Sequence, residues 1–338
     1  MRHANISGSK SAEPVPLRRQ GPAGRYSEHR RSADFSAVLL FDAPFECIKR
    51  EMVAEVSAEY PMLGVEEQSE LNRQLMVGSG WSTMVRTNTA GHRHISRVAS
   101  EAGPYEADFA YAMRHSYAFE DARKAVTTHA SWVRVSTASE AFDSPARFRA
   151  ATATTCISSV LARYPGCVGV YVPSANLLVS PQRWCRAADE AALGEFPIDA
   201  WIALAINRTE REGPAKSLAS CSSIGLASFD GHEVHLPWSD MPPGDSARLV
   251  YSALWMLLVG GNRFSDGDMI SDRQGTAQIR VRHAVEGKHG MQTDAWVLFD
   301  PSTVVSEEKL FETAQAFADP GSEPARPSGL TRLFSFIG

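Results

Sequence analysis

The sequence lacks the short glycine-rich signatures of nucleotide chemistry and of serine hydrolases. No GxxxxGK, GxGxxG or GxSxG occurs in it, so it offers no phosphate-cradling loop, dinucleotide fingerprint or nucleophile elbow. Gly78-Ser79-Gly80 and Gly260-Gly261 are too short to wrap a phosphate. Paired cysteines are missing as well. Cys47, Cys156, Cys167, Cys185 and Cys221 are odd in number and widely spaced, with no CxxC and no CxxH, which excludes a disulfide framework and a zinc ribbon. They are expected to serve as small buried hydrophobes. The longest apolar stretch, Leu249–Val259, is interrupted by Tyr251 and Ser252 and falls far short of the roughly 20 residues that a membrane helix needs. No apolar run of a secretory signal follows Arg2. A cytoplasmic protein with no membrane partner is expected.

Globular material is plentiful. The 338 residues are 43% hydrophobic, enough for one large or two medium domains. Charge is placed unevenly: Arg2, Lys10, Arg18, Arg19, Arg25, Arg30 and Arg31 stand against only Glu13 and Glu28 at the start, while the whole chain carries −5. The remainder is therefore strongly acidic and repels a phosphate backbone, so nucleic acid is not expected as a partner. Residues 1–34 have few apolar side chains and no hydrophobic period, which predicts a disordered basic tail.

Hydrophobic periodicity predicts the elements that follow. Phe35–Phe41 is a short apolar strand, and Phe45, Ile48, Met52, Val53 and Val56 recur at helical spacing. Two strands meet across Asn88–Gly91. Ser144-Pro145 opens a helix lined by Ala153, Ile157, Val160, Leu161 and Tyr164. Strands are expected at 168–172 and 201–206, with a helix over 181–193 between them. A hairpin is expected in which Ile224–Phe229 and Glu233–Leu236 meet across Asp230-Gly231. Pro243–Val259 is predicted to be the most buried helix, and Gln278–Ala284 and Asp294–Phe299 a second hairpin. A last helix is expected over 307–317. Helices and antiparallel hairpins are interspersed, which gives an α+β fold with mixed or antiparallel sheets packed against helices. The boundary is placed between an N-terminal lobe, 35–140, and a C-terminal lobe, 141–318, followed by a linker and tip at 319–338. Both lobes have an order compatible with split-βαβ units.

Few residue groups suggest chemistry. His232 and His235 are three apart on a strand, so they address opposite faces, and no third metal ligand is evident near them. His92 and His94 share a face, with His115 or His129 as partners in principle. Asp266, Asp268 and Asp272 resemble part of a calcium loop, but Ile270, Ser271 and Ala277 stand where ligand, glycine and closing glutamate belong. They are expected to cap backbone amides instead. The expectation is no metal, no cofactor and no assigned catalytic residue.

Several segments carry a resemblance: AVLLFDAPFE (37–46), HASWVRVS (129–136), VGVYVPSANLLVSP (168–181), FPIDAWIALAI (196–206), SSIGLASFDGHEVHLP (222–237) and FSDGD (264–268). From about Ala37 to Phe299 the chain resembles a bacterial family known as a domain of unknown function. The resemblance implies no substrate or catalytic residue. It marks Gly225 and Glu233 as fold features. The expected function is a binding or accessory module without catalytic activity, its partner another protein of the same operon. A hydrolase with its site near the 230–235 turn and the 266–272 acidic loop is the alternative.

Overall fold

The apolar run at 35–41 is buried on both sides, which puts it in the middle of a sheet. The computed structural model describes residues 33–299 except 47–48, 67–74, 78–79, 140–143, 210–217, 272–277 and 285–293. In it, strand β1 (Ala33–Phe41) sends Phe35, Ala37, Leu39 and Phe41 into one apolar cluster and Val38 and Leu40 into another. The expectations for the basic tail, Cys47, Asp272, the 307–317 helix and the C-terminal tip lie outside the described residues.

After β1 come α1 (Lys49–Glu59), β2 (Leu75–Val77), β3 (Gly80–Thr89), β4 (His92–Ala102), α2 (Phe109–His115), α3 (Ala122–Thr128), β5 (Ser131–Ser139), α4 (Ser144–Ala162), β6 (Cys167–Val172), β7 (Leu177–Val179) and α5 (Pro181–Ala192). The chain continues through α6 (Ile198–Trp201), β8 (Ala203–Thr209), β9 (Leu218–Ile224), α7 (Ala227–Asp230), β10 (Glu233–Ser239), α8 (Pro243–Leu258), β11 (Met269–Ser271), β12 (Gln278–Ala284) and β13 (Ala295–Phe299). This is an α+β fold. One sheet has the order β2-β3-β4-β5-β1-β6-β7 and the other β11-β12-β13-β10-β9-β8. Among the described residues all pairings are antiparallel except that of β10 with β13. Among the described residues no helix is long and apolar enough to cross a membrane.

The division expected at 140 is corrected by the first sheet. β6 and β7, both beyond that point, complete the sheet that β1 to β5 begin. A strand as apolar on both faces as β1 needs a neighbour on each edge, and β5 and β6 supply them. Both run antiparallel to β1, hence parallel to each other, and α4 connects them. A split βαβ unit therefore exists, but it straddles the expected boundary instead of repeating on either side of it.

α4 is the most enclosed helix, which corrects the expectation for α8. From Ala153 to Ala162 every residue of α4 is buried, whereas α8 leaves Trp255 40% exposed. α4 hides its polarity in its own backbone. The hydroxyls of Thr154, Thr155 and Ser158 donate to the carbonyls of Ala150, Ala151 and Thr154 one turn back, so each enters the core without an unmet donor. The oxygens of Ser158 and Thr155 also accept from buried neighbours. Trp184 Nε1 donates to Ser158 Oγ at 2.8 Å and Trp201 Nε1 to Thr155 Oγ1 at 3.0 Å. The hydroxyls of Tyr60 and Ser159 stand 2.8 Å apart.

α8 packs on β8, β9 and β10 through Leu249, Val250, Ala253, Leu254 and Leu257. Leu254 is fully buried, so Leu254→Ala is expected to cost about 2–5 kcal/mol from lost transfer energy and the cavity left behind. Urea unfolding measures this; a cost below about 0.5 kcal/mol would place α8 at the surface.

Candidate functional site

The loop between β9 and β10 is built around the carboxylate of Glu233. That carboxylate accepts the backbone N–H of Gly225 at 2.8 Å, of Ala227 at 3.2 Å and of Leu226 at 3.3 Å, together with the hydroxyl of Ser223. These bonds gather 225–230 into a helical turn, so the strand expected over Ile224–Phe229 is corrected: β9 ends at Ile224 and α7 follows. The hairpin survives, with His235 opposite Ser222 and Leu236 opposite Cys221. Gly225 is required where it stands. Its φ is +105°, and an added Cβ would come to 2.9 Å from the carbonyl oxygen of Trp201 and 3.0 Å from the Cβ of Ala175. Burial lifts the Glu233 carboxyl to about 7, against the stabilising bonds from Ser223 and the three amides.

His232 and His235 stand on opposite sides of this hairpin. His235 is 2% exposed, and its Nδ1 lies 2.8 Å from the hydroxyl of Ser222, also 2% exposed. The pair has the composition of a nucleophile and its base but not the setting. Burial lowers the imidazole to about 3, and both groups are shut off from solvent. His232 is half-buried, with Nδ1 3.5 Å from the Asp230 carboxylate. Its bond to Asp230 raises its pKa against the opposing effect of burial.

Around His232 the second sheet assembles groups from two further strand ends. His283 in β12 and Asp294 just before β13 bring donor atoms that lie, with that of His232, within 4.8 Å of one another. The ring of Trp296 lies against both imidazoles, with centroids 4.7 Å from His232 and 4.9 Å from His283. No third ligand is expected from the sequence for His232 and His235 together; the structure leaves His235 out and gathers His283 and Asp294 beside His232 instead. The sequence suggests the β12–β13 hairpin but not that β13 also pairs with β10, and it is that pairing that carries Asp294 to His232.

The acidic loop reaches the same corner. Asp266 Oδ1 accepts the backbone N–H of His283 at 2.8 Å and Arg282 Nε at 2.9 Å, and the His283 amide bond is the main cause of its lowered pKa. Asp268 Oδ2 caps the backbone N–H of Ser265 at 2.7 Å. Both aspartates are thus occupied with backbone and arginine. The turn at 230–235 and the loop at 264–268 meet through His283.

Among the described residues, His92, His94, His115 and His129 form no group that could share an ion. His92 is exposed, while His94 is buried, which lowers its pKa. His129 Nε2 accepts the backbone N–H of Tyr105 at 3.0 Å, and its Nδ1 lies 2.7 Å from the carbonyl of Val126. His115 is held down at about 4 by burial. It lines a cavity of about 40 Å³ with Ser116, Tyr117, Arg183 and Asp199, room for a few water molecules. Arg183 is tied to Asp199 and Glu190, and the Ser116 hydroxyl is bonded to Ala112 and Leu178. Burial pushes the thiols of Cys156 and Cys167 up to about 12, far from a reactive thiolate.

No protein-family model, no curated protein and no solved structure matches this chain.

The Glu233 turn has a pH signature. The folded state keeps this proton up to about 7, whereas the ordinary value is 4.5. Between those values rising pH ionises the unfolded chain first and favours unfolding. Glu233→Gln has no such proton to lose. The stability of the native protein relative to this variant should therefore fall between pH 5 and pH 8, by up to about 3 kcal/mol. Urea unfolding of both proteins across that range checks it. A relative stability that rises with pH would mean the four donors keep the carboxylate ionised.

Proposed function

We propose that the protein is a bacterial, cytoplasmic binding or accessory module without catalytic activity, and that its binding surface is the corner formed by His232, His283, Asp294 and Trp296. The observation that carries this is the separation of two kinds of group. Side chains able to coordinate gather at half-buried positions on the second sheet, while the one serine–histidine pair described above is buried. Groups that are reachable but include no nucleophile suit binding better than turnover. The resemblance to the bacterial domain of unknown function belongs to this proposal, as does a partner encoded in the same operon.

One observation favours the alternative, a hydrolase at the 230–235 turn and the acidic loop: Asp266 holds His283 from behind while His232 faces it. A chromogenic panel of esters, phosphoesters, peptides and glycosides, with and without added zinc, separates the two functions. A binding module should give no turnover above buffer. Turnover abolished by His232→Ala would overturn this function and establish the hydrolase. For the partner, co-purification with the neighbouring operon product should weaken when Trp296 is changed to alanine in a folded variant.

A further inference from the structure

We propose that His232, His283 and Asp294 together bind one divalent transition-metal ion, with zinc the best fit; this identifies the ligand of the binding corner and rests on that assignment. Sheet pairing sets the three side chains on one face. β13 lies between β12 and β10. His283 stands opposite Trp296, two residues beyond Asp294, and Glu233 stands opposite Ala295, which brings His232 level with Asp294. The backbone N–H of Glu233 donates to the carbonyl of Asp294 at 2.9 Å and fixes that level. Residues two apart on a strand share a face. Ala284, Ala295 and Val297 point the other way, into a separate apolar cluster.

The donor atoms are close enough to share an ion. All lie within 4.8 Å of one another, and donors on one zinc at about 2.0–2.2 Å stand about 3.3 Å apart. Sharing an ion requires side-chain rotations that close this difference of about 1.5 Å. Each histidine is also prepared for the role. The Asp230 carboxylate, 3.5 Å from His232 Nδ1, is the kind of outer-shell group that fixes the tautomer of a ligating imidazole and leaves Nε2 to the metal. His283 Nε2 is buried with no hydrogen-bond partner among the described residues, and a buried polar atom of this kind is satisfied by a metal ion as well as by a hydrogen bond. The Trp296 ring restrains both imidazoles.

The donor set selects the ion. Two imidazoles and one carboxylate suit zinc and its neighbours in the first transition row, whereas calcium and magnesium favour sites made of oxygen. Three protein donors leave a fourth tetrahedral position, which in a binding module a donor from the bound partner takes.

The test uses the full chain, stripped with a chelator and returned to buffer. Zinc affinity is measured by competition with a chromophoric chelator, and cobalt is added as a spectroscopic probe. The expected result is one equivalent of zinc with Kd below about 10 μM, a visible tetrahedral cobalt band, and no displacement by millimolar calcium or magnesium. His232→Ala, His283→Ala and Asp294→Asn should each weaken zinc by about 10–100-fold, while His92→Ala at an exposed position should not. Unchanged melting of the half-buried His232 variant keeps the result independent of misfolding. Weaker zinc binding in the native protein, or affinity untouched by these substitutions, overturns the metal site. Either result leaves the binding corner to stand or fall by partner capture, and turnover in the presence of zinc would reject the non-catalytic function while leaving the metal site intact.

Discussion

The fold depends on hydroxyl groups buried inside helix α4. Thr154, Thr155, Ser158 and Ser159 are each fully enclosed, and a polar group in such a place is tolerated only when its hydrogen bonds are made. Thr155, Ser158 and Ser159 donate to the helix's own backbone and offer their oxygens outward, while Thr154 also reaches the carbonyl of Phe35 in β1, and the neighbouring elements are fixed by what they bring to these groups. Trp184 brings α5, Trp201 brings α6, and Tyr60 brings the chain that follows α1. On the sheet side Thr154 bonds Thr137 of β5, which in turn bonds Ser96 of β4. One helix thus joins both layers through directional bonds as well as through apolar contact.

That constraint extends to the corner around His232. Trp201, anchored by Thr155, presents its carbonyl where Gly225 must pass, and only a glycine fits there. Phe229 in the same turn packs 5.0 Å from Phe35 of β1 and 6.1 Å from Trp201. With the turn held at that end, the Glu233 carboxylate closes it at the other, and His232 emerges beside β13. The histidine at the surface is positioned through a line of contacts that starts in the interior of the other sheet. A substitution at Thr155 should be felt at the turn for that reason.

Much of this was legible in the residues, and the losses have physical causes. The nearly unbroken apolar run Phe35–Phe41 and the helical spacing from Ala153 to Leu161 mark β1 and α4, because a strand covered on both faces reads as a run and a buried helix face as a helical period. The second buried face of α4 leaves no such mark, since Thr and Ser read as solvent-facing unless their backbone bonds are known. The Ile224–Phe229 segment looks like a strand by composition, and a carboxylate six to eight residues further on converts it to a helical turn. His232 and Asp294 are separated by 62 positions in the numbering, and nothing local signals the parallel pairing of β10 with β13. Long-range register decides which side chains meet, and a sequence read segment by segment carries little of it.

The most direct test of this account is a double-mutant cycle on Ser158 and Trp184, using Ser158→Ala, Trp184→Phe and the pair, each followed by urea unfolding. Removing the hydroxyl alone strands a buried indole N–H, which should cost about 1–3 kcal/mol. In the Trp184→Phe background no N–H remains to be stranded, and the same substitution should cost clearly less, giving a coupling of about 1 kcal/mol or more. Costs that simply add, with coupling below about 0.3 kcal/mol, would mean the hydroxyls of α4 are passengers in an apolar core and would contradict the role given to them here.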